Sequence, residues 1–202
     1  IGLARNFVGD EPFVVYLGDN LLRNGIANLV EEFQRLGTDC QVALCKVPNP
    51  EAFGVAELHA GKIVRLVEKP VSPPSNMALV GVYMFRSSIF DAIDTLKPSG
   101  RGELEITEAI QWLIDEGFDV RPQTVSGWWK DTGKPEDILE ANQLVLSDLA
   151  PYNRGILNER VTLAGRVSIG YRTTIESDCV LRGPIIIGDD CRIGPKTYVG
   201  PY

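Results

Sequence analysis

Histidine is almost missing from this sequence: 202 residues contain one, His59, in an expected hairpin turn Leu58-His59-Ala60-Gly61. Catalysis by a nucleophile with a histidine base therefore has little support. Cysteine is sparse too, and Cys40, Cys45, Cys179 and Cys191 form no CxxC pair and have no histidine beside them, so the usual zinc spacings are excluded. All four read as buried reduced thiols. Cys40 and Cys45 lie an odd number of residues apart in one expected strand and so face opposite sides, and Cys179 and Cys191, twelve residues apart in the tail's six-residue repeat, fall on different sides of it and are not expected to bridge. No apolar run approaches the roughly 18 residues of a membrane helix, and no charged segment followed by a hydrophobic stretch opens the chain, so no membrane partner and a cytoplasmic location are expected. Basic residues are outnumbered, 20 against 27, for a net charge of -7. Nucleic-acid affinity comes largely from Lys and Arg neutralising phosphates, so no nucleic-acid partner is expected, whereas a small phosphate ligand needs only one or two local cations. Methionine is absent from the first position, and the opening Ile1-Gly2-Leu3-Ala4 reads as the start of a fragment.

What is present alternates strand and helix patterns. The apolar run Phe13 to Leu17 ends in Gly18-Asp19-Asn20, which presents a carboxylate where a buried strand stops, the edge at which open α/β sheets bind ligands. A plain strand-ending turn is the competing reading of those residues. Ile26, Leu29, Val30, Phe33 and Leu36 then recur at helical spacing before Gly37, and Cys40 to Val47 reads as a strand, so this strand, helix, strand unit predicts parallel pairing. Two short strands follow, Glu51 to Leu58 and Lys62 to Glu68, then a loop by composition, a buried strand from Met77 to Phe85, and a helix opening at Ser88. A second helix is expected from Glu103 to Glu116, a strand over Val120 to Val125, and a helix from Pro135 to about Asp148.

From Leu163 the pattern changes. Leu163, Ile169, Ile175, Leu181, Ile187, Ile193 and Val199 recur every six residues without exception, each preceded two residues earlier by a small, β-branched or apolar residue. That regularity marks a parallel β-helix whose anchors stack inside, with seven hexads making little more than two coils. The domains expected are residues 1–150 and 151–202.

Charge at strand ends and nearby loops concentrates at Asp19, Glu68-Lys69 and Asp131. Two carboxylates meeting on one hard cation, with a lysine for a phosphate, describe phosphoryl or nucleotidyl transfer; three unrelated surface turns would look the same in sequence. At this point seven segments in order resemble the sugar-1-phosphate nucleotidyltransferases, most closely the long glucose-1-phosphate thymidylyltransferases with a β-helix tail. They are Gly2-Leu3-Ala4, Leu17-Gly18-Asp19-Asn20, Phe53-Gly54-Val55, Glu68-Lys69-Pro70, Val80-Gly81-Val82-Tyr83, Arg101-Gly102-Glu103-Leu104-Glu105-Ile106-Thr107 and Trp129-Lys130-Asp131-Thr132-Gly133.

The resemblance implies an α/β, Rossmann-like nucleotidyltransferase domain, truncated at its N-terminus, followed by a left-handed parallel β-helix of hexapeptide repeats. It implies transfer of a nucleotidyl group from dTTP or UTP to glucose 1-phosphate with release of pyrophosphate, with Mg2+ as cofactor and a homo-oligomer as the assembly. It makes Asp19 and Asp131 the magnesium ligands and, with Lys69, the catalytic residues. Gly2 and Leu3 would lie against the base, Gly54 and Glu68 would contact the sugar, Lys69 its phosphate, and Tyr83, Arg101 and Trp129 would complete the sugar side. The family's Gly-rich triphosphate loop lies upstream of Gly-Leu-Ala, so these residues alone are expected to be inactive. Two other readings stand beside this one: a non-catalytic regulatory or assembly subunit, and an acyltransferase of the β-helix type. The second usually needs a general base, and the tail from Leu163 onward has no histidine.

Overall fold

The computed structural model describes residues 1–201 and forms two compact units, Ile1–Asp131 and Thr132–Tyr202. In the first, a 3-10 turn over Gly2–Ala4 leads into α1 (Arg5–Val8), β1 (Phe13–Tyr16), β2 (Asn20–Leu22), α2 (Ala27–Leu36), β3 (Cys40–Lys46), β4 (Gly54–His59) and β5 (Lys62–Glu68). β6 (Met77–Phe85), α3 (Ser88–Thr95), α4 (Ile106–Asp115), β7 (Val120–Thr124) and β8 (Trp129–Asp131) complete it.

The sheet is built on β6, whose residues after Met77 are all buried. Its odd-numbered side chains Leu79, Tyr83 and Phe85 join Cys40, Val42 and Leu44 in one apolar cluster, under α3 and α4. Its even-numbered ones, Val80, Val82 and Met84, pack with Leu29 and Phe33 of α2 on the other face. Such two-sided burial explains why the run reads as continuously apolar. Cys40 and Cys45 do fall on opposite faces, and all four cysteines are free thiols.

The pairing differs from the expected strand, helix, strand unit. β1 and β3 run in the same direction but are not neighbours, because β6 lies between them and pairs antiparallel with both, Phe13 and Cys40 each opposite Phe85. β3 takes its parallel partner on its other edge, β7, with Cys40 opposite Val120. A helix crossover requires two strands to share a direction, not to touch. β4 and β5 form the expected hairpin, turning at Ala60 and Gly61 with φ 49° and 77°, so His59 closes the strand instead of occupying the turn. Helix α2 ends where expected, at Gly37 with φ 67°. Helix α4 starts at Ile106, later than the expected Glu103, because Glu103 accepts a backbone bond from Ser99 at 2.8 Å and Glu105 is still extended. Helix α3 opens at Ser88 as expected, with no side-chain cap, and the Ser88 hydroxyl is buried without a hydrogen-bond partner.

The second unit opens with α5 (Pro135–Ser147). Nine short strands follow: β9 (Tyr152–Asn153), β10 (Ile156–Leu157), β11 (Thr162–Ala164), β12 (Val167–Ile169), β13 (Thr174–Ile175), β14 (Val180–Arg182), β15 (Ile185–Ile187), β16 (Arg192–Ile193) and β17 (Tyr198–Val199). They make three parallel three-stranded sheets, β9-β12-β15, β10-β13-β16 and β11-β14-β17, which are the sides of a parallel β-helix. The helix has three rungs, more than the seven anchors imply, because Leu157 continues their six-residue phase upstream and β9 extends the side of β12. Ile169, Ile175 and Leu181 are fully buried inside it. At the corners, Arg160 reaches Asp178 at 2.5 Å and Arg172 reaches Asp190 at 2.6 Å, each pair eighteen residues apart and one rung above the other. The Asp178 carboxyl is held below its usual range by the hydrogen bond from Arg160.

Candidate functional site

The first unit carries an open cavity of about 320 Å³ beside β6, at the carboxyl end of β1. Asp19, Gly54, Glu68, Lys69, Tyr83, Trp129 and Asp131, which the sequence scatters over more than half the chain, all line it.

Two carboxylates reach this cavity because β2 and β8 pair antiparallel, with Asn20 opposite Asp131 and Leu22 opposite Trp129. Asp19 immediately precedes β2, and Leu17 before it is tied to β6 by a 2.8 Å bond from its N–H to the Gly81 carbonyl. Asn20 is buried at the junction, 5% exposed. Its Nδ2 donates to Asp19 Oδ1 at 2.8 Å, and its Oδ1 accepts from Trp129 Nε1 at 2.7 Å and from the Gly81 N–H at 3.1 Å. The Tyr16 hydroxyl donates to the Asn20 carbonyl at 2.7 Å. Trp129 also meets Phe53 edge-on, with ring centroids 5.2 Å apart.

The opposite wall comes from the β4–β5 hairpin. Gly54 stands across from Glu68, and a Cβ there would approach Thr107 Cγ2 to 2.8 Å and Glu68 Oε2 to 3.0 Å, so only glycine leaves this wall undisturbed. The Thr107 hydroxyl donates to Glu68 Oε2 at 3.2 Å, and Arg101 approaches Glu68 Oε1 at 3.6 Å. Burial, and then the nearby Glu105 carboxylate, push the Glu68 carboxyl above its ordinary value; Thr107, Lys69 and Arg101 oppose them. The Tyr83 phenol is pushed up by burial and by Glu68. Lys69 follows Glu68 with φ 39°, a left-handed backbone that is unusual before a proline, and its N–H is bonded to the Phe53 carbonyl at 3.0 Å.

The remaining sequence candidates fall elsewhere. Arg101 sits behind Glu68 in an adjoining cavity, within 3.8 Å of Glu105 and 3.3 Å of Glu103 as well. Gly2 and Leu3 do not line the site: Gly2 lies on the 3-10 turn against Ile93 of α3, and the Leu3 side chain is fully exposed. Conversely, Asn20, Phe53, Gly81, Glu105 and Thr107 line the cavity without having been singled out for a role. Gly81 had a readable signal, since a glycine inside an apolar strand marks a close approach. A Cβ at Gly81 would stand 2.5 Å from Asn20 Nδ2.

Among the described residues no group of three or more His, Cys, Asp or Glu side chains could enclose a metal. Two carboxylates brought into one open cavity by paired strands are instead a partial oxygen set, the kind that suits a magnesium ion retaining water and phosphate oxygens.

Comparison with known proteins shows the family of the chain. Residues 1–148 match the family profile described as "Nucleotidyl transferase", and residues 166–201 match "Bacterial transferase hexapeptide (six repeats)". The low-salt glycan biosynthesis nucleotidyltransferase Agl11 of Haloferax volcanii is 50% identical over 202 residues, all of this chain and 57% of the relative. A glucose-1-phosphate thymidylyltransferase of Streptomyces griseus is 45% identical over 201 residues, 99% of this chain and 56% of the relative. A crystal structure from Bacillus anthracis, described as a glucose-1-phosphate thymidylyltransferase in complex with a sucrose, superposes with a TM-score of 0.66 at 40% identity, covering 75% of this chain and 61% of the other. The chain thus spans little more than half the length of these two curated relatives. On the profile match and these identities, the chain belongs to the nucleotidyl transferase family and carries a hexapeptide-repeat region.

Proposed function

We propose that the complete protein transfers a nucleotidyl group from dTTP or UTP to glucose 1-phosphate and releases pyrophosphate. The observation that carries this reading is the convergence of Asp19, Asp131 and Lys69 on one cavity that also holds Glu68, Tyr83 and Trp129. The relatives' names supply the substrate class. dTTP and UTP differ by a methyl group and a sugar hydroxyl, and a pocket separates a methyl by only about 1–3 kcal/mol.

A phosphate oxygen of the sugar 1-phosphate attacks the α-phosphorus of the nucleoside triphosphate. The new O–P bond forms as the bond to the leaving pyrophosphate breaks, so no covalent enzyme intermediate is required. Both reactants are anions, and the residues reduce their repulsion. Lys69 supplies a compact positive charge to the sugar phosphate, held by its backbone bond to Phe53. Glu68 accepts hydrogen bonds from sugar hydroxyls, and the glycine opposite leaves it room. Trp129 and Tyr83 give the sugar an apolar wall. Asp19 and Asp131 would hold magnesium, which when bound supplies charge neutralisation at the phosphates.

The test is pyrophosphate release by the complete protein given dTTP, glucose 1-phosphate and magnesium, with UTP in parallel. Release that needs both substrates supports the proposal. Absence of release with every nucleoside triphosphate and sugar 1-phosphate tried would overturn it.

A further inference from the structure

The Asn20 carboxamide has one orientation that its surroundings satisfy. Its oxygen receives two N–H donors, Trp129 Nε1 at 2.7 Å and Gly81 N at 3.1 Å, while its nitrogen faces the Asp19 carboxylate at 2.8 Å. Turned over, the amide would set its NH2 against two donors and its oxygen against a carboxylate. An independent observation points to the same side chain. β6 carries a side chain at every position except Gly81, and a Cβ there would lie 2.5 Å from Asn20 Nδ2, 2.9 Å from its Cγ and 2.9 Å from Leu17 Cδ1. The central strand thus gives up a side chain at the place the carboxamide occupies. The backbone of Asn20 is held as well, by the Tyr16 hydroxyl on its carbonyl and by the β2–β8 ladder that sets it opposite Asp131.

We infer that Asn20 is a positioning residue of this site, whose carboxamide fixes the Trp129 indole and the Asp19 carboxylate relative to one another. One neutral side chain then sets the spacing between the sugar wall and the phosphate side of the cavity. The functional meaning of that spacing rests on the nucleotidyl transfer proposed above; the hydrogen bonds themselves do not. Only an amide serves both neighbours. Aspartate would keep the two N–H bonds but place a carboxylate against Asp19, and leucine would keep the shape while leaving the indole N–H and the Gly81 N–H without this acceptor.

The experiment compares Asn20→Asp, Asn20→Leu and Trp129→Phe in the complete protein. It reads kcat, KM for glucose 1-phosphate, and the indole N–H resonance of Trp129, assigned by its loss in Trp129→Phe. Asn20→Asp is expected to leave the indole resonance in place and KM within about threefold, while kcat falls about tenfold or more. Asn20→Leu is expected to move the indole resonance and to raise KM about tenfold as well, the effect of losing the hydrogen bond that holds the indole. Should Asn20→Leu fail to fold, Asn20→Ser, too short to reach the indole, is expected to move the resonance in the same way. An unmoved resonance and unchanged KM in the leucine or serine variant would overturn the inference, as would an aspartate variant that moves both as far as leucine does. If the complete protein transfers no nucleotidyl group, the proposed function falls, and the indole resonance alone decides the role of Asn20.

Discussion

Gly54 and Glu68 face each other across the β4–β5 ladder so closely that a methyl group on Gly54 would stand 3.0 Å from Glu68 Oε2 and 2.8 Å from Thr107 Cγ2. The two side chains it would strike are the ones hydrogen-bonded to each other. Gly54→Ala is therefore expected to cost about 1–3 kcal/mol of stability, the range for overpacking a filled site. It is also expected to weaken sugar 1-phosphate binding, with kcat affected less. Urea unfolding and calorimetric titration measure the two; an alanine variant with unchanged midpoint and affinity would contradict the close approach.

Glu68 makes stability depend on pH in a defined direction. Its carboxyl is raised above the ordinary value of 4.5 by burial and by Glu105, so the folded chain holds that proton more tightly than the unfolded chain does. The group's favourable contribution is complete below pH 4.5 and is lost as pH rises through the raised value. Glu68→Gln, neutral throughout, is expected to unfold at a higher temperature than the parent near pH 7, with the difference closing as pH falls towards 4.5. Melting curves of both proteins across that range decide it, and a gap that widens in acid would refute the assignment.

Lys69 combines a charge with a backbone at φ 39°. The two properties separate in a pair of variants. Lys69→Ala and Lys69→Gly both remove the charge and are expected to lose activity alike, by about a hundredfold if the lysine stabilises transferring phosphate as such cations do. Glycine tolerates the left-handed region and alanine does not, so Lys69→Gly is expected to be the more stable of the two by about 1 kcal/mol. Equal denaturation midpoints would show that this conformation carries no strain.

Asp19→Asn and Asp131→Asn are each expected to abolish magnesium-dependent turnover of the complete protein while leaving its melting temperature within a few degrees, as for partly exposed polar substitutions. Removing divalent cations with a chelator should reproduce the loss in the unmutated protein, and adding magnesium should restore it. Full activity in either variant would show that its carboxylate holds no magnesium needed for turnover.

In the β-helix, inner anchors and outer ladders should differ sharply. Leu181 is fully buried, so Leu181→Ala is expected to cost about 2–5 kcal/mol, the range for a deleted core side chain. Arg172→Ala removes an exposed ion pair to Asp190, and its unfolding midpoint should stay close to that of the parent. The reverse order in denaturant titrations would mean that corners rather than anchors hold the rungs together.

How far each feature could be read in advance followed from the range of the interaction that makes it. The six-residue phase of Leu163 to Val199 is local and repeats, so the β-helix was legible; Leu157 was missed because one further anchor without its own repeat looks like any leucine. The strand β6 was legible from its apolar length, but its place between β1 and β3 was not, since alternation reports which face is buried and says nothing about which strand lies alongside. β2 and β8, three residues each, hold too few residues to show a period, and their pairing is what brings Asp19 and Asp131 to one cavity. Charged candidates drew notice by their type, whereas Asn20 and Thr107 act through hydrogen bonds to distant partners and carry no pattern of their own.

The eighteen-residue step between Arg160 and Asp178 makes the length of the β-helix a quantised property. Eighteen added residues would insert a complete rung and leave every downstream side chain on its original side. Six added residues between Arg160 and Arg172 would preserve the inward anchors yet turn everything beyond them by one side of the prism. Arg172 would then stand over Arg160 where Asp178 stood, and the corner that now joins opposite charges would set two cations face to face. Growth of this unit by a whole coil keeps opposite charges facing each other at that corner, and growth by a single repeat at that place does not.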